Sequence, residues 1–321
     1  MNDPSCWPKA NPLLGVTITE EYLAGVVKQA KDMPGKLNGI LRLHFCVWTD
    51  AETAWMTRAT LEPALADFDP AEHEGKEIAL GLDLSQTRDI TAKACIVQTG
   101  EIEIERVDDR GQPYKVVAPT YDAWIEAWSP GDTLAARAVK DKQPYELWAK
   151  QGFLQAPKGE SIPYGHIAQA VAEDAHRFKV MALAYDRYAY RSFFEPELNA
   201  LGVSIEQVEH PQGGTKKGKP TDTMTAAAKR AKKEPEGLWM PASVKGLEML
   251  LFERRIRLRR NPVLVSAMMS AVTDEDRWGN YWLAKERAAN KIDAAIALCM
   301  AVGVMLAAPP APGAKFQMFF A

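Results

Sequence analysis

Two apolar runs, Ile78–Ser85 (IALGLDLS) and Val180–Asp186 (VMALAYD), constrain the fold more than any other part of this sequence. Both alternate with the period of two that marks a β-strand. In the first, Ile78, Leu80, Leu82 and Leu84 point one way and Ala79, Gly81, Asp83 and Ser85 the other. In the second, Met181, Leu183 and Tyr185 oppose Val180, Ala182, Ala184 and Asp186. Each strand thus shows a face of mostly small residues that ends in an aspartate. An aspartate opposes strand propensity, and a carboxylate inside a sheet is costly unless something compensates it, a metal ion being one such compensator. If the two strands are parallel neighbours, Asp83 and Asp186 stand side by side at their C-terminal ends, where open α/β sheets place their sites.

The rest of the chain fits around these strands. A helix is predicted from Thr19 to Ala30 with Thr19 as N-cap, and a second over Ala51–Phe68, interrupted near Pro63. From Glu77 the pattern changes to strands at Ile78–Ser85, Thr91–Gln98, Glu101–Val107 and Tyr114–Pro119. Helices are predicted at Thr133–Gln151, Tyr164–Phe178 and Ser192–Leu201, with strands at Val180–Asp186 and Val203–Glu209 between and after them. Successive strands followed by alternating helices and strands indicate an α/β domain with a mixed sheet. The expected organisation is a helical arm over 1–75, the α/β domain over 76–307 and a flexible tail over 308–321.

Composition narrows the function. A net charge of −3 on 321 residues does not announce a nucleic-acid binder, yet thirteen cations face five acids across Lys216–Arg260. Within that stretch Lys216, Lys217, Lys219, Lys229, Arg230, Lys232 and Lys233 suit contact with phosphate, or a solvated face. Gly213–Pro220 (GGTKKGKP) has the glycines and lysine of a phosphate loop, but Pro220 replaces the hydroxyl residue such a loop needs. Cys6, Cys46, Cys95 and Cys299 are scattered, forming neither a disulfide framework nor a thiolate zinc motif. The N-terminus lacks the regions of a signal peptide, and the longest apolar run, Ala294–Ala308, is too short to span a bilayer. A soluble cytoplasmic protein without membrane association is expected.

A third acid, Asp293, opens the last helix, whose Ile292, Ile296, Cys299 and Gly303 recur at helical spacing and mark a face that packs on the sheet. Each aspartate has a plainer reading. Asp293 suits a capping box with Asn290, Asp186 suits an N-cap, and Asp83 alone is hard to explain structurally. Asp89, Ser85 and Thr87 read as turn formers. Together, three carboxylates without nearby histidine or cysteine suit a hard cation, Mg²⁺ or Mn²⁺, rather than zinc.

The stretches GLDLSQTRDITA, ALAYDRYAYR and NKIDAAIALCMAVG resemble the three metal-binding motifs of the nuclease domain of tailed-phage terminase large subunits. WPKANPLLGVTITEEYL, RLHFCVWTD and RNPVLVSAMMSAV are similar to other parts of that family, so the resemblance runs from Trp7 to Gly303. It implies an RNase H-like fold and an endonuclease that cuts concatemeric viral DNA during packaging. Asp83, Asp186 and Asp293 would hold two metal ions for phosphodiester hydrolysis. Arg88, Arg187 and Lys291 would face phosphates. The implied partners are double-stranded DNA, the portal protein, the small terminase subunit and an ATPase domain, in the cytoplasm of an infected bacterium at the procapsid portal. Family members carry an ATPase ahead of the nuclease; no such segment is found here, so no ATPase activity is expected, and the chain reads as a nuclease half or a split gene product.

Two other readings compete. A resolvase- or transposase-like nuclease shares the fold and the three acids, and differs in the N-terminal arm. A catalytically silent DNA-binding or docking module would use tryptophans such as Trp48, Trp55, Trp124 and Trp128 as surface, and would lose nothing on replacement of Asp83. An actin-like kinase would need glycine near Ser85 and after Asp186, where Arg187-Tyr188-Ala189-Tyr190 stands instead.

Overall fold

The computed structural model describes residues 1–47, 54–85, 90–108, 111–187, 190–213 and 238–307. The chain opens with helices α1 (Glu20–Asp32) and α2 (Pro34–Phe45). Thr19 caps α1 as its sequence predicts, its hydroxyl accepting from the Tyr22 N–H at 3.1 Å. Trp7, Leu23, Val26, Val27, Ile40 and Phe45 form a small apolar cluster of their own. Instead of the helix expected over Ala51–Phe68, the described part holds a short helix (Arg58–Leu61), a 3₁₀ turn (Glu62–Ala64) and strand β1 (Leu65–Ala66). Pro63 cannot supply the N–H that would carry a helix through this stretch. Trp55, Met56, Leu61 and Ala64 pack into the main core.

The further strands are β2 (Glu77–Asp83), β3 (Thr91–Val107), β4 (Pro113–Trp128), β5 (Lys179–Tyr185), β6 (Gln207–Glu209) and β7 (Ile256–Arg259). They form a seven-stranded sheet in the order β1-β7-β4-β3-β2-β5-β6. Only β3 runs antiparallel to its neighbours. This mixed sheet flanked by helices has the RNase H-like arrangement. The two strands expected at Thr91–Gln98 and Glu101–Val107 are one strand of 17 residues, because a register shift between Gln98 and Gly100 lets the chain continue. Its partner β4 likewise runs on past Pro119 to Trp128.

Between β4 and β5 come α3 (Leu134–Asp141), α4 (Tyr145–Lys150) and α5 (Tyr164–Arg177). The single helix expected over Thr133–Gln151 is broken where Lys142 turns left-handed (φ 51°) ahead of Pro144. A π-type turn (Tyr190–Phe194) and α6 (Glu195–Ala200) follow β5, and only Gln207–Glu209 of the expected Val203–Glu209 pairs as a strand. The C-terminal part adds α7 (Met240–Phe252), α8 (Pro262–Ser270), the ribbon β8 (Thr273–Glu275) and β9 (Tyr281–Leu283), and α9 (Asp293–Ala307).

Ile78, Leu80 and Leu82 of β2 pack with Ile167 and Val171 of α5 on one side of the sheet. On the other, Ala79, Ala94 and Ile96 meet α9, which is buried from Asp293 to Met305. The stripe through Ile292, Ile296, Cys299 and Gly303, expected to pack on the sheet, does not mark the sheet contact: Ala297, Met300 and Ala301 approach Gly81 of β2, while Gly303 meets Ser243 of α7, so the helix is a central layer rather than an amphipathic cover. No helix among the described residues is long and apolar enough to cross a membrane.

Candidate active site

The site is set by how closely α9 lies on β2. A Cβ added at Gly81 would overlap the carbonyl oxygen of Ala297 and sit 2.6 Å from the Ala301 amide nitrogen, so only glycine fits. Two residues further along the same face of β2 is Asp83, and one helical turn before Ala297 is Asp293. The two acids converge because strand and helix run in opposite directions from this contact. Both are nearly removed from solvent, at 2% and 6% exposure. On the neighbouring strand Tyr185 is in register with Leu82, so Asp83 and Asp186 follow parallel strands at the same level. Asp186 is half-buried.

Lys285, in the loop between β9 and α9, extends its ammonium between the two buried acids. Its Nζ is 2.6 Å from Asp83 Oδ2, 2.9 Å from Asp83 Oδ1 and 3.2 Å from Asp293 Oδ1. The Gln212 amide donates to Asp83 Oδ1 at 2.8 Å. Beyond its 2.6 Å ion pair with the ammonium, Oδ2 of Asp83 has no hydrogen-bond partner, leaving a buried carboxylate oxygen with capacity to spare. Burial works against the charge on Lys285, but Asp83 and Asp293 outweigh it and hold the ammonium above the ordinary lysine value. The stem of Lys285 is less enclosed, its side chain keeping 39% of its surface.

All-oxygen donors with an unsaturated buried carboxylate fit a hard divalent cation. Among the described residues, however, no three His, Cys, Asp or Glu side chains gather into a group able to hold one metal ion. Asp83 and Asp293 share a lysine, and Asp186 approaches from the adjacent strand.

A cavity of about 280 Å³ adjoins this cluster, lined by Lys140, Asp141, Lys285, Glu286, Lys291 and Asp293 among others. Lys291 therefore shares a cavity with Asp293, as does Lys140, which sequence reasoning did not single out. Arg187 is exposed beside Asp186. Arg88, Lys216, Lys217, Lys219, Lys229, Arg230, Lys232 and Lys233 fall outside the described residues. The later part of the basic stretch is largely used internally. Arg257 forks onto Asp122 at 2.7 and 2.6 Å, and Arg255 donates to Glu253 and to the Pro119 carbonyl at 2.7 and 2.9 Å. Trp55, Trp124 and Trp128 are core residues, leaving none of them as docking surface. A larger recess of about 680 Å³, between α4, α8 and β1, is lined by Trp148, Phe153, Val265 and Met269 and, among the described residues, by no acid or histidine.

Lys285 and Gln212 were missed from sequence. The only signal for Lys285 is a cation closing a short Tyr281-Trp282-Leu283 strand just ahead of Asp293, and Gln212 carries none.

Comparison with known proteins gives consistent results. The sequence profile described as "Terminase large subunit, endonuclease domain" matches residues 1–104 and 231–308. The large terminase subunit of Enterobacteria phage HK97 is 28% identical over 313 residues, covering 98% of this chain and 53% of that protein. Protein YmfN of Escherichia coli K12 is 24% identical over 309 residues, covering 94% and 59%. The crystal structure of the HK97 large terminase superposes with a TM-score of 0.60 at 26% identity, over 94% of this chain and 54% of that one. The chain thus spans little more than half the length of these relatives.

Proposed function

The chain belongs to the family of terminase large subunit endonuclease domains, and from that membership we propose a divalent-metal-dependent endonuclease that cuts concatemeric viral DNA during genome packaging. The observation that carries this reading is the convergence of Asp83 and Asp293, from two rigidly packed elements, on one cation.

Asp83, Asp186 and Asp293 would hold Mg²⁺ or Mn²⁺, two ions in the active complex. Bound there, the metal supplies Lewis acidity for attack of water on a phosphodiester and for the departing oxygen. The chain itself contributes position. Asp83 is fixed by its strand and by the Gln212 amide, and Asp293 by the first turn of a helix whose backbone lies directly against Gly81. Lys140, Lys291 and Arg187 offer cations to the phosphates on either side of the cut, and such contacts hold DNA without reading its sequence. Double-stranded DNA is the substrate. The portal protein, the small terminase subunit and an ATPase domain are the packaging partners, at the procapsid portal in the host cytoplasm.

The test is plasmid cleavage by the purified chain in Mg²⁺, Mn²⁺ or EDTA, alongside Asp83→Ala and Asp293→Ala. Expected is sequence-tolerant nicking and cutting that needs metal and falls at least about a hundredfold in both variants. Cleavage that survives EDTA, or persists in either variant, would remove the carboxylates from the mechanism. Absence of cleavage with equal DNA binding by all three proteins would make this chain a binding module.

A further inference from the structure

We propose that Lys285 is a tethered competitor for the metal: its ammonium occupies the Asp83–Asp293 position until a divalent cation displaces it. This rests on the carboxylate reading above. Two buried carboxylates this close repel one another and require a positive charge between them. In this structure the charge is the Lys285 Nζ, within 3.2 Å of both acids and touching both oxygens of Asp83. A cation entering to bind those oxygens must take the place of the ammonium, which already lies against both oxygens of Asp83 and against Asp293 Oδ1.

The geometry also gives Lys285 a way out. It stands on a loop, with no strand or helix hydrogen bonds assigned to it, and its stem is part-exposed. Its side chain lines the adjoining cavity of about 280 Å³, where Glu286 and Asp141 supply alternative acids. Gln212 can keep its bond to Asp83 Oδ1 while the lysine leaves, so the carboxylate stays oriented throughout the exchange. Metal affinity is then the difference between what the acids gain from the metal and what they lose with the ammonium. The site accepts a divalent ion readily and discourages monovalent ones, whose single charge Lys285 already provides.

The experiment measures Mn²⁺ binding by calorimetry, without DNA and independently of cleavage, for the wild type, Lys285→Ala, Lys285→Gln and Asp83→Asn. Thermal melts are run with and without Mn²⁺. Removing the competitor should tighten Mn²⁺ binding on the order of tenfold in both lysine variants. Their metal-free melting temperature should drop and Mn²⁺ should raise it by more than in the wild type. A lysine variant that unfolds without metal and folds on addition of Mn²⁺ supports the same conclusion. Unchanged or weaker binding in folded lysine variants would overturn the proposal while leaving the metal site intact, as would a variant that Mn²⁺ does not rescue. If the wild type binds no Mn²⁺, or Asp83→Asn binds it undiminished, the carboxylate site itself is wrong and the competitor falls with it.

Discussion

Each side of the sheet places one lysine between two carboxylates, with opposite mobility. On the α5 side Lys93 of β3 is fully buried, 2.9 Å from Glu126 and in close contact with Asp174, and it also donates to the Ala170 carbonyl at 3.2 Å. Burial works against its charge, but Glu126 and Asp174 hold the ammonium well above the ordinary lysine value. On the α9 side Lys285 serves Asp83 and Asp293 from a loop, with a part-exposed stem and a cavity beside it. Lys93 is locked by ladder hydrogen bonds to strands on both sides, Leu82 and Glu126 being its cross-strand partners. The same three groups make a strut where the lysine sits on a strand, and an exchangeable contact where it sits on a loop.

The sharpest way to break this comparison is to delete the strut. Lys93→Met leaves Asp174 buried without its cation and should cost about 3–5 kcal/mol in urea unfolding. A loss under about 1 kcal/mol would show that the α5 side tolerates its charges unpaired.

A third buried titratable group tests whether enclosure without an acid partner has the opposite sign. His210 is fully buried, shares 2.8 Å with the Ser243 hydroxyl, and is pushed from 6.5 down to about 4 by burial. Its folded-state value lies below the unfolded one, so the unfolded chain takes the proton first as pH falls. The contribution is therefore fully present above about pH 6.5 and is lost progressively toward pH 4, reaching about 3 kcal/mol. Urea midpoints between pH 7 and 4 should show this slope in the wild type and lose it in His210→Gln; an unchanged slope in the variant would assign the acid sensitivity to the carboxylates.

The smallest expected effect is the other half of the comparison. With Mn²⁺ saturating, Lys285→Gln should change stability by at most about 1 kcal/mol, because the metal then compensates the two buried acids in place of the ammonium. A loss in Mn²⁺ as large as that of Lys93→Met would make Lys285 a second strut.

The parts legible in the sequence are those with strict alternation. The faces of β2 and β5, and hence the level of Asp83 and Asp186, follow from the period of two, and only their adjacency had to be assumed. Three features hid the rest. α9 is buried all round, so its apolar stripe could not tell that α7 covers it. The run Tyr121–Trp128 continues β4 but has no glycine or proline and no strict alternation to separate it from a helix. Lys285 and Gln212 act as single side chains from loops, where no periodicity marks which residue turns inward. The candidate acids were thus visible, and the cation between two of them was not.

The absent side chain at Gly81 works as a ruler. The distance from Asp83 to Asp293 is gauged by the bare approach of the α9 backbone to the strand, one step away from the acids themselves. The tolerance of the site is therefore machined into the middle of the domain. Changes that lift α9 anywhere along its length, such as a larger residue at Gly303 where His210 and Ser243 close in, would be felt as misfit at the acids several turns away.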